Sequence, residues 1–258
     1  MKTVILAGGL GSRLAEETSQ IPKPMVEIGG RPILWHILKI YSHYGFNEFF
    51  PALGYKGEVI KNYFLNYATS NRDFKINTLS GKLELSQETA LDSWDLHLHD
   101  TGKGTMTGGR LLRLHKYLKD DKTFMLTYGD GVSNVDISKL VAFHQSHGRI
   151  ATVTAVRPPA RFCALEIQDG KVLDFLEKPQ MGEGWINGGF FVFNKEVFDY
   201  LENDQTILEQ KPLEDLAKAG QLMAFQHPGF WHCMDTVRDR DILEKFWQEG
   251  TAPWKLWK

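Results

Sequence analysis

The apolar positions of this chain fall into two repeating patterns. Residues 3–7 form an unbroken β-branched and apolar run with no polar alternation, which predicts a strand buried on both faces inside a parallel sheet. Pro32 then opens a segment in which Ile33, Leu34, Ile37, Leu38 and Tyr41 share one helical face, with Gly45 as its stop. Residues 49–53 read as the next strand, although Pro51 lacks the amide donor that a central strand needs. A helix is expected over 58–67. From 70 to 100 the chain is polar and weakly patterned, with short strands at 74–79 and 82–85, and is expected to project from the core. Strands follow at 123–127, 150–156 and 189–193, separated by helical patterns around 110–118 and at 137–147. This alternation predicts an α/β fold, a mostly parallel mixed sheet flanked by helices. Asp169-Gly170, between apolar runs at 164–167 and 172–176, is a hairpin signal expected to add small antiparallel pieces to that sheet. No Pro- or Ser-rich linker and no internal repeat interrupts residues 1–258, which favours one continuous domain.

Composition narrows the function classes. Apolar residues make up 42% of the 258 positions and charged residues 24%, so the chain can build a core and is not a disordered or coiled-coil sequence. Thirty Lys and Arg stand against 32 Asp and Glu, a net charge of -2 that lacks the concentrated basic field of a nonspecific nucleic-acid binder. Any polyanionic ligand must be met by locally placed cations. The two cysteines, Cys163 and Cys233, have no CxxC spacing, so neither a disulfide framework nor a cysteine zinc site is indicated, as suits a reducing cytoplasm. The apolar run at 4–7 is interrupted by Gly8, Gly9, Gly11 and Arg13 before a signal-peptide core is complete, and no other run approaches the roughly 18 to 20 residues of a membrane span. A cytoplasmic protein with neither membrane nor nucleic acid as partner is expected.

The segment richest in chemistry is LAGGLGSRL, residues 6–14, followed by IPKP at 21–24. A strand ending in closely spaced glycines lets backbone amides approach phosphate oxygens without a Cβ in the way. A Walker P-loop would need GxxxxGK[ST], which is absent, and a dinucleotide GxGxxG read from Gly9 fails because its third position is Leu14. There remains a glycine loop containing Arg13, with Lys23 ten residues on. This suits a nucleoside triphosphate whose α-phosphate is attacked while Arg and Lys offset the charge growing on the leaving pyrophosphate. Read alone, the same residues could be a tight turn with two surface cations.

Taken together, the glycine, arginine and lysine positions resemble the signature of the sugar-1-phosphate nucleotidylyltransferases. The resemblance runs on through GYKG (54–57), MTGGR (106–110), TYGDGV (127–132), EKP (177–179), INGGFF (186–191), HPGFW (227–231) and MDT (234–236). It is greatest to the branch that joins CTP to α-D-glucose 1-phosphate, giving CDP-D-glucose and pyrophosphate. Periodicity and spacing name neither base nor sugar, so UTP, dTTP or GTP, another hexose 1-phosphate, and a noncatalytic sugar-nucleotide sensor stand as alternatives.

The resemblance implies a set of roles. Leu6, Ala7, Gly8, Gly9, Gly11, Ser12, Arg13, Lys23, Thr105, Arg110 and Gly129 would bind the nucleotide, with Arg110 in the loop that reads the pyrimidine edge. Glu177, Lys178 and Asn187 would bind the sugar phosphate, and Arg13, Lys23 and Lys178 would be catalytic. Asp130 and Asp235 would jointly hold Mg²⁺. The residues alone leave a turn open at Gly129-Asp130-Gly131 and at Asn187, and a solvated ion pair at Glu177-Lys178. The resemblance also implies a Rossmann-like form of the α/β fold, a homo-oligomer, a hexamer among its sizes, and a role in supplying deoxysugars for surface lipopolysaccharide. One departure stands out: Cys163 occupies a position where the related sequences carry glycine, beside the expected sugar site. His97, His99 and Asp100 look like a metal cluster on paper, but alternation on a polar strand gives the same pattern. The tryptophans of the tail APWKLWK, 252–258, are expected in packing or a subunit contact.

Overall fold

The computed structural model describes residues 1–11, 14, 18–87, 91–158 and 184–257 in full, and the backbone course of 164–168 and 171–176. Eight strands build its central sheet. They are β1 (Thr3–Ala7), β2 (Glu48–Leu53), β3 (Asp95–Leu96), β4 (His99–Asp100), β5 (Thr123–Tyr128), β6 (Ala151–Val156), β7 (Ile186–Asn194) and β8 (Leu222–His227). Their order in space is β8-β6-β7-β5-β1-β2-β3, with β4 also pairing with β2. β1 runs parallel to β2 and β5, and β6 parallel to β8, while β7 runs antiparallel between β5 and β6. The expected mostly parallel mixed sheet is therefore present. The pair 164–168 and 171–176 does form antiparallel, but as its own two-stranded sheet, so the antiparallel member of the main sheet is β7 instead. The Asp169-Gly170 turn lies outside the described residues.

Alternation along each strand feeds a core on either face. Val4, Phe50, Ala52, Leu126, Phe191 and Phe193 pack on one side with Leu111 of helix α3 (Thr107–Arg113) and with Leu213 and Leu216 of α5 (Lys211–Lys218). Ile5, Ala7, Phe49 and Met125 pack on the other, against α1 (Ile33–His43) and α4 (Ile137–His147). Both of these helices match their sequence expectation. Asp136 caps α4 by accepting from the Lys139 amide, and Gly148 ends it at φ 63°. The helix expected at 58–67 is α2 (Gly57–Leu65), and the pattern around 110–118 is divided between α3 and a single turn, His115–Leu118.

Pro51 is tolerated in β2 for a definite reason. The carbonyls of Phe49 and Leu53 accept from the amides of His97 and Thr101, at 2.8 Å each, so residue 51 faces the same outer edge. β3 pairs with Glu48 and Phe49, β4 with Ala52 and Leu53, and the missing N–H of Pro51 falls in the gap between them. The alternating histidines stack on aromatic rings: His97 lies 4.2 Å from Phe50 and His99 4.1 Å from Tyr117. The hairpin of Phe74–Ile76 with Leu83–Leu85 is exposed, as expected of a projecting segment. In the tail, Trp254 is fully buried and donates to His36 Nδ1 at 3.3 Å. Among the described residues, no helix is long and apolar enough to cross a membrane.

Candidate functional site

β1 and β5 are parallel neighbours, and the segments leaving their C-terminal ends enclose a cavity of about 300 Å³, at the edge where open α/β sheets bind ligands. Leu6, Ala7, Gly9, Gly11, Lys23, Pro24, Gly129, Asp130 and Asp235 line it. The Gly129 amide donates to the Leu6 carbonyl at 3.0 Å, and a Cβ at Gly129 would lie 2.9 Å from that same oxygen, so only glycine lets the two strand exits close. Gly11 sits at φ +64°, and its carbonyl accepts from the Leu14 amide and the Thr18 hydroxyl.

Lys23 lies on a short 3₁₀ turn, Lys23–Met25, introduced by Pro22. Its Nζ donates to Asp130 Oδ2 at 2.7 Å and to Asp235 Oδ1 at 2.6 Å. Burial opposes the charge on Lys23, yet Asp130 and the two carboxylate hydrogen bonds outweigh it and hold the ammonium above the usual lysine range. Asp130 is placed by the exit of β5. Asp235 is placed by two devices. Gly131–Ser133 pairs antiparallel with Trp231–Cys233, and the next residues start α6 (Val237–Gln248), where Thr236 and Asp239 form a capping box. The Asp239 carboxylate accepts from the amides of Asp235 and Thr236, fixing the backbone that carries the site carboxylate.

Cys233 was not singled out by sequence, since one cysteine without a partner motif carries no signal. Its Sγ and the carboxylates of Asp130 and Asp235 offer ligand atoms within 4.8 Å of one another. Burial, reinforced by Asp130, pushes the thiol well above its usual range. Two carboxylates gathered on one cation fit a divalent metal as well as they fit an ammonium.

Arg110 lies beneath the glycine loop. Its guanidinium is buried and donates to the carbonyls of Gly8 (2.9 Å), Leu53 (3.0 Å) and Gly102 (2.8 Å) and to the Thr101 hydroxyl (2.8 Å). A Cβ at Gly8 or Gly54 would overlap it. The side chain thus props the glycine loop from beneath, and does not line the cavity. Thr105 is buried in the adjoining turn. Asn187 is exposed at the start of β7, where its Oδ1 accepts from the Gly189 amide at 2.8 Å and its Nδ2 donates to the Tyr128 hydroxyl at 3.1 Å. Tyr128 in turn donates to Glu209 Oε1 at 2.6 Å, and burial together with the Glu209 charge keeps the phenol protonated. Tyr128 and Glu209 were not legible as site neighbours. Ser12, Arg13, Cys163, Glu177 and Lys178 lie outside the described residues.

Comparison with known proteins places this geometry. The family model described as Nucleotidyl transferase matches residues 2–236. A glucose-1-phosphate cytidylyltransferase of Salmonella typhi is 54% identical over all 258 residues, covering the whole of both chains. A probable glucose-1-phosphate cytidylyltransferase of Bacillus subtilis (strain 168) is 44% identical, again over the full length of both. Among solved structures, HddC from Yersinia pseudotuberculosis superposes with a TM-score of 0.66 at 24% identity, over 95% of this chain and 99% of that one, a likeness of fold.

Proposed function

The chain belongs to the nucleotidyl transferase family, and on that footing we propose that it transfers a cytidylyl group from CTP to α-D-glucose 1-phosphate, giving CDP-D-glucose and pyrophosphate. The observation that carries the reaction class is the cavity, which glycine backbone, a lysine and the two carboxylates it holds line together. Base and sugar follow the relatives, which share their full length with this chain.

In this reading an oxygen of the sugar phosphate attacks the α-phosphorus of CTP. The new P–O bond forms as the bond to the bridging oxygen breaks, and pyrophosphate leaves with that electron pair. The attacking oxygen is ionised near neutral pH, so no general base is required, and the rate derives from positioning and charge neutralisation. Backbone of the glycine loop receives the triphosphate, held in shape by Arg110. Lys23, joined by Arg13, meets the charge that grows on the departing pyrophosphate. Lys178 aligns the nucleophile, and Glu177 and Asn187 bind the sugar. Asp130 and Asp235 would hold Mg²⁺, which supplies charge neutralisation on the phosphates. The protonated thiol of Cys233 is a neighbour of that oxygen site, because Mg²⁺ favours hard oxygen donors. A cytoplasmic homo-oligomer belongs to the same proposal.

The test is stoichiometric. CTP, glucose 1-phosphate and Mg²⁺ with the purified protein should yield CDP-glucose and pyrophosphate one for one, and a chelator should stop both. Nucleotide binding without turnover would replace the enzyme with a sensor.

A further inference from the structure

Glu209 is a half-buried carboxylate that no step of the mechanism uses. It accepts two short hydrogen bonds, from Thr107 Oγ1 to Oε2 at 2.6 Å and from the Tyr128 hydroxyl to Oε1 at 2.6 Å. These donors belong to two different elements. Thr107 begins α3, the helix that carries Arg110 beneath the glycine loop. Tyr128 ends β5, directly before Gly129 and Asp130, and receives the Asn187 amide.

A carboxylate is acceptor only, so both hydroxyls must turn their protons towards Glu209. That fixes the rest of the chain. Thr107 Oγ1 is left to accept from the Leu208 amide, at 2.9 Å, and the phenol oxygen to accept from Asn187 Nδ2. Because the Gly189 amide can only donate, Asn187 must present its oxygen there, and its amide has a single orientation. One N–H of Asn187 Nδ2 then stays on the exposed side for a ligand oxygen. Packing holds the same chain in place. Gly189, at φ +79°, has no Cβ to strike the Tyr128 ring, and Gly108 and Gly109 lie against the 204–206 backbone where a Cβ would overlap.

We propose that Glu209 is a positioning residue that couples the two substrate sides, fixing the start of α3 through Thr107 and the Asn187 amide through Tyr128. The inference rests on the reading of α3 as the nucleotide side and Asn187 as the sugar side. Glu209→Gln keeps the shape but brings an NH₂ group against one of the two hydroxyls, which loses the acceptor for its proton, and leaves the other hydroxyl a neutral amide oxygen, a weaker acceptor than the charged carboxylate.

Steady-state kinetics on Thr107→Val, Tyr128→Phe, Glu209→Gln and the Tyr128→Phe/Glu209→Gln double variant, with melting curves, separate coupling from simple support. Tyr128→Phe should raise KM for glucose 1-phosphate about tenfold, the effect of one well-placed hydrogen bond, and leave KM for CTP within about twofold. Thr107→Val should do the reverse, and Glu209→Gln should raise both. The double variant should match Glu209→Gln in its glucose 1-phosphate KM, because both changes cut one chain. Unchanged KM values with only a lower Tm, or losses that multiply in the double variant, would overturn the proposal. Should Glu209→Gln fail to fold, the opposite selectivity of the two hydroxyl variants decides. A wild type inactive with CTP and glucose 1-phosphate would defeat the substrate reading alone, and the same variants are then compared on the pair it does use.

Discussion

At Lys23 one ammonium holds two carboxylates that are 105 positions apart in sequence, Asp130 and Asp235. Their spacing says nothing about this meeting; the resemblance to a family suggested it, and the strand and helix ends bring it about. Asp130→Asn and Asp235→Asn are each expected to lower turnover by at least about a hundredfold while the melting curve persists. Combined, they should lose far less than the product, since residues that act as a unit are not additive. Fully multiplicative losses in a kinetic double-mutant cycle would separate the two carboxylates. Lys23→Ala should cost about 10² to 10³ in kcat, the scale of one preorganised donor. Arg110 shows the limit of residue-level reading. The MTGGR motif announces a loop of consequence, but not that its arginine turns inward to four acceptors. Arg110→Ala should therefore destabilise the fold by about 3 kcal/mol or more, read by denaturant unfolding, because it strands buried carbonyls as well as removing bonds.

Among the elements, those with an unbroken apolar run or a clear period are the ones legible in sequence. β1, α1, α4 and β5 are long or evenly patterned, and each falls within a residue or so of its expectation. β3 and β4, at two residues each, are too short to show a period, and they are recognisable only as partners of β2. The helices α5 and α6 are not among the elements expected from sequence, although the Thr236 to Asp239 capping pattern marks where α6 starts and hence where Asp235 is held. Sequence also could not show why the first turn of α3 carries two glycines. A Cβ at Gly109 would overlap the Asp204 backbone, so Gly109→Ala should destabilise by about 1 to 3 kcal/mol despite alanine's better helix propensity. A thermal melt at or above the wild-type value would contradict that packing.

Over the whole molecule, the C-terminal tail closes the core that α1 borders. Trp254 is fully buried beside His36, and burial pushes that imidazole down to about 4 from its ordinary 6.5. Between those two values the unfolded chain binds a proton that the folded chain does not, so acid favours unfolding. The contribution is complete above pH 6.5 and falls towards pH 4, by about 3 kcal/mol at this site. Other buried histidines, His144 and His232 among them, are shifted in the same direction. His36→Gln should flatten the fall of Tm between pH 7 and 5, and an unchanged slope would place the acid sensitivity elsewhere. If the cavity joins a nucleoside triphosphate to a sugar phosphate, the measurement that reaches it most directly is pyrophosphate release across four nucleoside triphosphates and several sugar 1-phosphates at subsaturating concentrations with Mg²⁺. CTP with glucose 1-phosphate should be the fastest pair; a clear preference for UTP, dTTP or another hexose 1-phosphate would contradict the assignment of base or sugar, and no pyrophosphate from any pair would contradict the reaction itself.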